Sequence, residues 1–148
     1  MDEKKYDCLK LNSQLCFPLY ACARETIKLY TPHLEKIGLT YTQYITMMVL
    51  WERNILTAKE LGKLLYLDSG TLTPLLKKLE GKNLLTRRRS EADERNLIIT
   101  LTEEGAALKD RAVNIPHEMK KCINLDHEEI LQLYHLLKKL LLAADTQD

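Results

Sequence analysis

Two short helical periods stand back to back between residues 57 and 83, and each carries its own start signal. In TAKELGKLLYL, Thr57 and Glu60 make the S/T-x-x-E pattern of a capping box. In DSGTLTPLLKKLEGKN, Asp68 and Ser69 supply a cap, while Gly81 and Asn83 supply a stop. Two short helices joined by a tight turn, the second opening on small hydroxyl residues, form a helix-turn-helix pattern. Directly after it, LLTRRR and NLIITL read as two strands rich in β-branched residues, with SEADER as the hairpin tip.

Helices flank this unit. From Asn12 or Ser13 to Tyr30, apolar side chains recur at 15, 16, 19, 20, 23, 27 and 30, and Pro32 is expected to stop that helix. Pro18 falls early in it, so the helix either kinks there or begins there. A second helix is expected over about Thr42 to Glu52. Thr102 and Glu103 open a long helix toward residue 122, bent at Pro116. Asp126 with Glu129 forms a further capping box, starting a final helix to about Ala143. The expected order is α-α-α-α-β-β-α-α, a mainly α winged helix-turn-helix in one domain over residues 1–148. Residues 55–102 form its lobe, and the helices within 8–35 and 103–145 are more apolar than so small a lobe needs. The expected use of that surplus is a symmetric dimer interface.

Composition supports helix and excludes several classes. Leucine, lysine and glutamate dominate, and five glycines and four prolines are too few for a disordered or loop-rich β chain. No charged-then-apolar leader opens the sequence, and its longest apolar runs are far too short to span a bilayer. A cytoplasmic protein without a membrane segment is expected. The net charge of +1 is uninformative, but its distribution is not. Residues 77–96 carry seven basic against four acidic side chains, whereas residues 97–148 carry six against nine. Basic charge is concentrated on one middle segment, as a patch for a polyanion would be.

Ser69, Thr71, Thr73, Pro74, Lys77 and Lys78 are the recognition-helix candidates. Hydroxyls at a helix N-terminus can bond base edges or phosphates, and Thr methyls and Pro74 can touch thymine methyls. Alone, this segment reads first as a cap and a solvated lysine face. The basic hairpin that follows, with Arg87, Asp93 and Arg95, turns the reading toward DNA. An arginine held by a nearby carboxylate at a hairpin tip suits a narrow minor groove.

Four cysteines, Cys8, Cys16, Cys22 and Cys122, are expected as reduced thiols. No C-x-x-C occurs and the histidines show no ligand spacing, so neither a metal nor a cofactor is expected. Cys16 lies at a helix opening, which favours thiolate, but no Lys, Arg or His lies within five residues of it. From the residues alone it is either an inert packing thiol or a reactive one. Tyr20 is one turn away on the same face, while Tyr30 shares that face roughly 21 Å further along the axis. Tyr30 therefore meets Cys16 only from a partner subunit. Cys22 is about 240° around from Cys16 and cannot bridge to it while both stay helical.

The segments DERNLIITLT, YLDSGTLTPLLKKLEGKNLLTRRRSEADER, LNSQLCF, TYTQY and LTEEGAALKDRAVNIP together resemble the MarR-type winged-helix regulators. Within them the likeness is sharpest to the organic-hydroperoxide-sensing repressors of the OhrR branch, and it covers about residues 8 to 143. The resemblance implies a homodimeric repressor on a palindromic double-stranded DNA operator, released when an organic hydroperoxide oxidises a cysteine near the first helix. By motif match that thiol is Cys16, bonded by Tyr30 and Tyr41 with Tyr20 nearby. Some relatives of this kind carry a second, resolving cysteine toward the C-terminus, and Cys122 is either that thiol or a helix-packing residue. The alternative is a MarR-type regulator answering a small aromatic or phenolic ligand. An enzyme is not expected: a thiol peroxidase lacks a resolving C-x-x-C or a Cys/His/Asp arrangement here. A plain helical interaction module leaves the basic wing unexplained.

Overall fold

The computed structural model describes residues 3–145; the expected domain's ends, residues 1–2 and 146–148, lie outside them. After 3₁₀ turns at Glu3–Leu9 and Leu11–Ser13 come α1 (Cys16–Glu35), α2 (Tyr41–Arg53), β1 (Ile55–Thr57), α3 (Ala58–Leu65) and α4 (Ser69–Gly81). Then follow β2 (Leu85–Arg89), β3 (Leu97–Leu101), α5 (Glu103–Ala112), α6 (Ile115–Lys120) and α7 (His127–Asp145). The chain forms two compact units that meet in sequence at Pro116 and His117.

The first helix differs from expectation at both ends. It starts at Cys16 rather than Asn12 or Ser13, and Leu15 at its N-cap makes no side-chain cap bond. Pro18 is thereby the third helical residue, where an N–H has no intrahelical acceptor to lose. The helix begins at this point; it does not kink. At the other end α1 continues through Pro32 to Glu35. Pro32 removes one backbone hydrogen bond, and the Thr31 hydroxyl donates to the Ile27 carbonyl at 3.2 Å alongside it. Burial of Leu34 and Ile37 just beyond offsets that loss, each side chain contributing roughly 1.5–3 kcal/mol.

Strand β1 was not expected: three residues show no alternation to read. It completes an antiparallel sheet of order β1-β3-β2, with Leu56 opposite Ile99 and Arg87 opposite Ile99 on the other side. The long helix expected to run from residue 103 toward 122 is instead two, since α5 ends at Ala112 and α6 opens at Ile115. Pro116 cannot donate to the Ala112 carbonyl and restricts the residue before it, so the break falls ahead of the proline. Three expected caps form. Thr57 pairs with Glu60, Thr102 accepts from the Gly105 N–H at 3.0 Å, and Asp126 pairs with Glu129 with both bonds at 2.9 Å.

The core lies under the helix-turn-helix. Met47, Leu50, Leu61, Leu76, Leu79, Leu85 and Ile99 are fully buried there. The terminal segments are the opposite case. No residue of α7 is buried, and in α1 only Leu34 is. Among the described residues, most exposed large hydrophobic side chains lie within 6–29 and 113–142, including Leu15, Phe17, Leu131 and Leu142. So much uncovered apolar surface marks association surfaces on each of the two units. No helix among the described residues is long and apolar enough to cross a membrane.

Candidate DNA-reading surface and thiol switch

Helix α4 buries one side and presents the other. Leu72, Leu75, Leu76 and Leu79 face the core, while Ser69, Thr71, Thr73, Pro74, Lys77 and Lys78 are all exposed. Its cap is Asp68 alone, which accepts from the Thr71 N–H at 2.7 Å. That bond holds the Asp68 carboxyl below its ordinary range and leaves Ser69, expected to share the cap, as the first helical residue. The Thr73 hydroxyl donates to the Ser69 carbonyl at 2.8 Å, inside the helix's own first turns. Lys59 and Lys63 of α3, missed in the sequence, line a cleft of about 300 Å³ with Ser69 and Thr73.

The wing divides its arginines. Arg95 is 90% exposed at the tip, its Nε bonded to Asp93 Oδ1 at 3.1 Å and its backbone N–H to the same oxygen at 3.1 Å. The side chain is aimed outward from a fixed base. Arg87, a DNA candidate in the sequence, turns inward instead. Its Nε and Nη2 reach Glu80 Oε2 at 3.0 and 2.8 Å, and its backbone N–H meets Oε1 at 3.0 Å. This clamp fastens β2 to the recognition helix. The signal was available: successive side chains of a strand point to opposite faces, so Arg87 shares the face of buried Leu85. Arg88 and Arg89 are the exposed cations of that strand.

Two predictions arise here. Replacing Arg95 with Ala weakens operator binding by about tenfold and lowers the salt slope by about one; anisotropy titrations at several salt concentrations measure both, and unchanged affinity removes Arg95 from the interface. The second concerns acid. Hydrogen bonding to Arg87 holds the Glu80 carboxyl below the 4.5 of a free one. A depressed folded pKa gives stability that is present above 4.5 and is lost as pH falls through the lowered value. Urea midpoints for the native chain and Glu80→Gln therefore differ by a constant amount above about pH 5 and converge as pH falls through that lowered value.

The thiol and its candidate partners sit in two places. Cys16 is exposed as the first residue of α1, and Cys8, Cys22 and Cys122 are exposed as well. One turn on, the Tyr20 hydroxyl accepts from Arg24 at 3.0 Å, with the guanidinium 5.5 Å from the ring centre. Tyr30 and Tyr41 come together with ring centres 5.0 Å apart. Sequence reading missed that Tyr44 joins them at 5.9 Å and that Trp51 follows at 6.3 Å. Burial first, and the neighbouring phenols second, push the Tyr30 and Tyr44 hydroxyls up, so both stay protonated donors. Within one chain the unbroken α1 keeps Cys16 roughly 21 Å along the axis from Tyr30. Cys122 follows α6, its Sγ 3.8 Å from the Glu118 carbonyl.

An exposed hydroxyl-and-lysine helix face, a strand-anchored wing arginine and a three-stranded sheet define a winged-helix DNA-binding regulator. Comparison with known proteins agrees. The profile of the transcriptional regulator SarA/Rot family matches residues 28–112. The organic hydroperoxide resistance transcriptional regulator of Bacillus subtilis is 50% identical over 139 residues, spanning 94% of this chain and 95% of that one. Reduced AbfR bound to DNA superposes with a TM-score of 0.79 at 31% identity, covering 99% of both chains; AbfR is a Staphylococcus epidermidis protein. The disulfide-formed AbfR superposes at 0.59 with 32% identity over 99% and 98%. A cysteine-to-serine MarR mutant from E. coli, complexed with operator DNA, gives 0.74 at 27% identity over 86% and 93%. The chain belongs to the SarA/Rot family of transcriptional regulators, within the MarR-type winged-helix proteins. These are regulators and not enzymes.

Proposed function

We propose that this chain is a homodimeric cytoplasmic repressor that holds a palindromic operator while Cys16 is a thiol. Oxidation of Cys16 by an organic hydroperoxide releases it. The observation that carries the reading is the placement of Cys16, exposed at the opening of an apolar, uncovered helix and far along it from a packed tyrosine pair. A second copy that covers the exposed apolar faces of residues 6–29 and 113–142 brings its Tyr30 and Tyr41 hydroxyls to the Cys16 sulfur. Two phenol hydroxyls then donate to the sulfur, which favours the thiolate as a nucleophile.

The chemistry is a displacement on oxygen. The Cys16 thiolate attacks the outer oxygen of R–O–O–H, the O–O bond breaks, and the alkoxide takes a proton to leave as an alcohol. Cys16 becomes a sulfenic acid. A thiol then condenses with it, giving a disulfide and water; Cys122 serves as that thiol, and a small-molecule thiol serves the same step where Cys122 is blocked. Oxidation removes the thiolate acceptor from the two phenols, and the tyrosine pair rearranges. On DNA, Ser69, Thr71, Thr73, Pro74, Lys77 and Lys78 face the major groove, and Arg95, set by Asp93, enters the minor groove. Arg88 and Arg89 supply the backbone charge expected of Arg87.

Operator-bound native protein treated with cumene hydroperoxide loses its DNA, and the same concentration of a neutral phenol leaves the complex intact. Release by the phenol with all four thiols unmodified would establish the ligand-responsive reading in place of this one.

A further inference from the structure

The turn between α1 and α2, residues 36–40, separates Tyr30 from Tyr41 in the chain and is gripped from two other elements. Lys82, the residue that ends α4, donates from Nζ to the Gly38 carbonyl and, at 3.1 Å, to Gln43 Oε1. Gly38 has φ +71°, a conformation that favours glycine and turns its carbonyl toward that ammonium. Gln43 is only 4% exposed, and the same amide oxygen accepts from the Thr40 N–H at 3.1 Å, closing the cap of α2. From α5, Arg111 Nη2 donates to the Lys36 carbonyl at 2.6 Å. Tyr41 is the residue directly after Thr40 and the first of α2.

We propose that Lys82 is the joint through which the tyrosine pair is read by the recognition helix. The inference rests on the Cys16 reading above, because it takes oxidation to disturb Tyr30 and Tyr41. A shift of Tyr41 moves the α2 cap, and the cap carries Gln43. Gln43 and Gly38 carry the Lys82 ammonium, and Lys82 carries the C-terminal end of α4. The buried amide oxygen serves a backbone N–H and an ammonium together. Losing either partner leaves a buried polar group short of bonds, so the two ends move as one or separate as one. Lys82 is exposed like Lys77 and Lys78, but it differs from them because its ammonium already donates to two acceptors of the α1–α2 turn and the α2 cap.

The experiment uses full-length protein and an operator duplex, with Lys82→Met and Lys82→Arg beside the native chain. Three quantities are read: the ratio of operator affinities before and after hydroperoxide, the rate of Cys16 sulfenic acid formation trapped by dimedone, and the salt slope of binding. Lys82→Met is expected to shrink the affinity ratio by about fivefold or more, with the oxidation rate within about twofold and the slope unchanged. Lys82→Arg, which keeps the charge and the donors, restores most of the ratio. An unchanged ratio in folded Lys82→Met overturns the joint, as does a slope lower by about one, which would make Lys82 a phosphate contact. Should Lys82→Met not fold, Lys82→Gln is measured in the same way and judged by the same two results. If the native chain itself keeps its operator after Cys16 is oxidised, the fault lies in the Cys16 reading.

Discussion

Replacing Cys16 with Ser leaves operator binding within about twofold of native and abolishes its release by organic hydroperoxide, a change of about 100-fold or more in oxidant needed. Sulfur-to-oxygen exchange is close to isosteric, and a serine hydroxyl still accepts hydrogen bonds from the partner's two phenols. A hydroxyl does not ionise near neutral pH and does not attack a peroxide. The variant should therefore remain on DNA under oxidant concentrations that clear the native chain. If Cys16→Ser is released as readily as native, the reactive thiol is Cys8, Cys22 or Cys122, and the tyrosine pair has no part in the switch.

The largest stability effect is expected at a glycine. A Cβ on Gly105 would lie 2.1 Å from the Leu84 carbonyl oxygen and 2.7 Å from Leu101 Cδ1. The first is backbone and cannot rotate away. The Thr102 N–H donates to that same carbonyl at 3.3 Å, and the Thr102 hydroxyl donates to the Asn83 carbonyl at 2.6 Å, so α5 starts directly on the base of the wing. The Gly105 carbonyl in turn accepts from the Trp51 indole N–H at 2.8 Å. Making room for one methyl would pull α5 from both β2 and α2. Gly105→Ala should cost about 3 kcal/mol or more, lowering the melting temperature by roughly 6–12 °C for a chain of this size. Gly81→Ala is the control, because a Cβ there meets nothing within 4 Å. Thermal melts that coincide for native and Gly105→Ala would show that the wing base yields where the geometry says it is fixed.

Much of the lobe, and the start of α7, was legible because the signals are local. Thr57 with Glu60 and Asp126 with Glu129 are capping patterns three residues apart, and both bonds of each form. Asp93 and Arg95 are two residues apart in a turn, and their pairing also forms. Pro32 misled because a proline's local cost was weighed without the burial of Leu34 that follows it. Strand β1 was invisible because three residues, Ile55 to Thr57, are defined only by pairing with residues 98–100. A charge run gives net charge but not direction, which is why Arg87 reads as a free surface cation and proves to be clamped to Glu80, and why the bonds of the exposed Lys82 to Gly38 and Gln43 could not be seen. The tyrosine pair was assigned by resemblance. Tyr44 and Trp51 went unnoticed because their contact with it is made in three dimensions.

The most direct test follows one sample along two readings. Operator-bound native protein is titrated with cumene hydroperoxide, and at each point the fraction of DNA released is compared with the fraction of Cys16 oxidised, measured by peptide mass. Release is expected to rise with Cys16 oxidation, and oxidation at Cys8 and Cys22 to lag behind both. Release completed while Cys16 remains a thiol would contradict the role of Cys16.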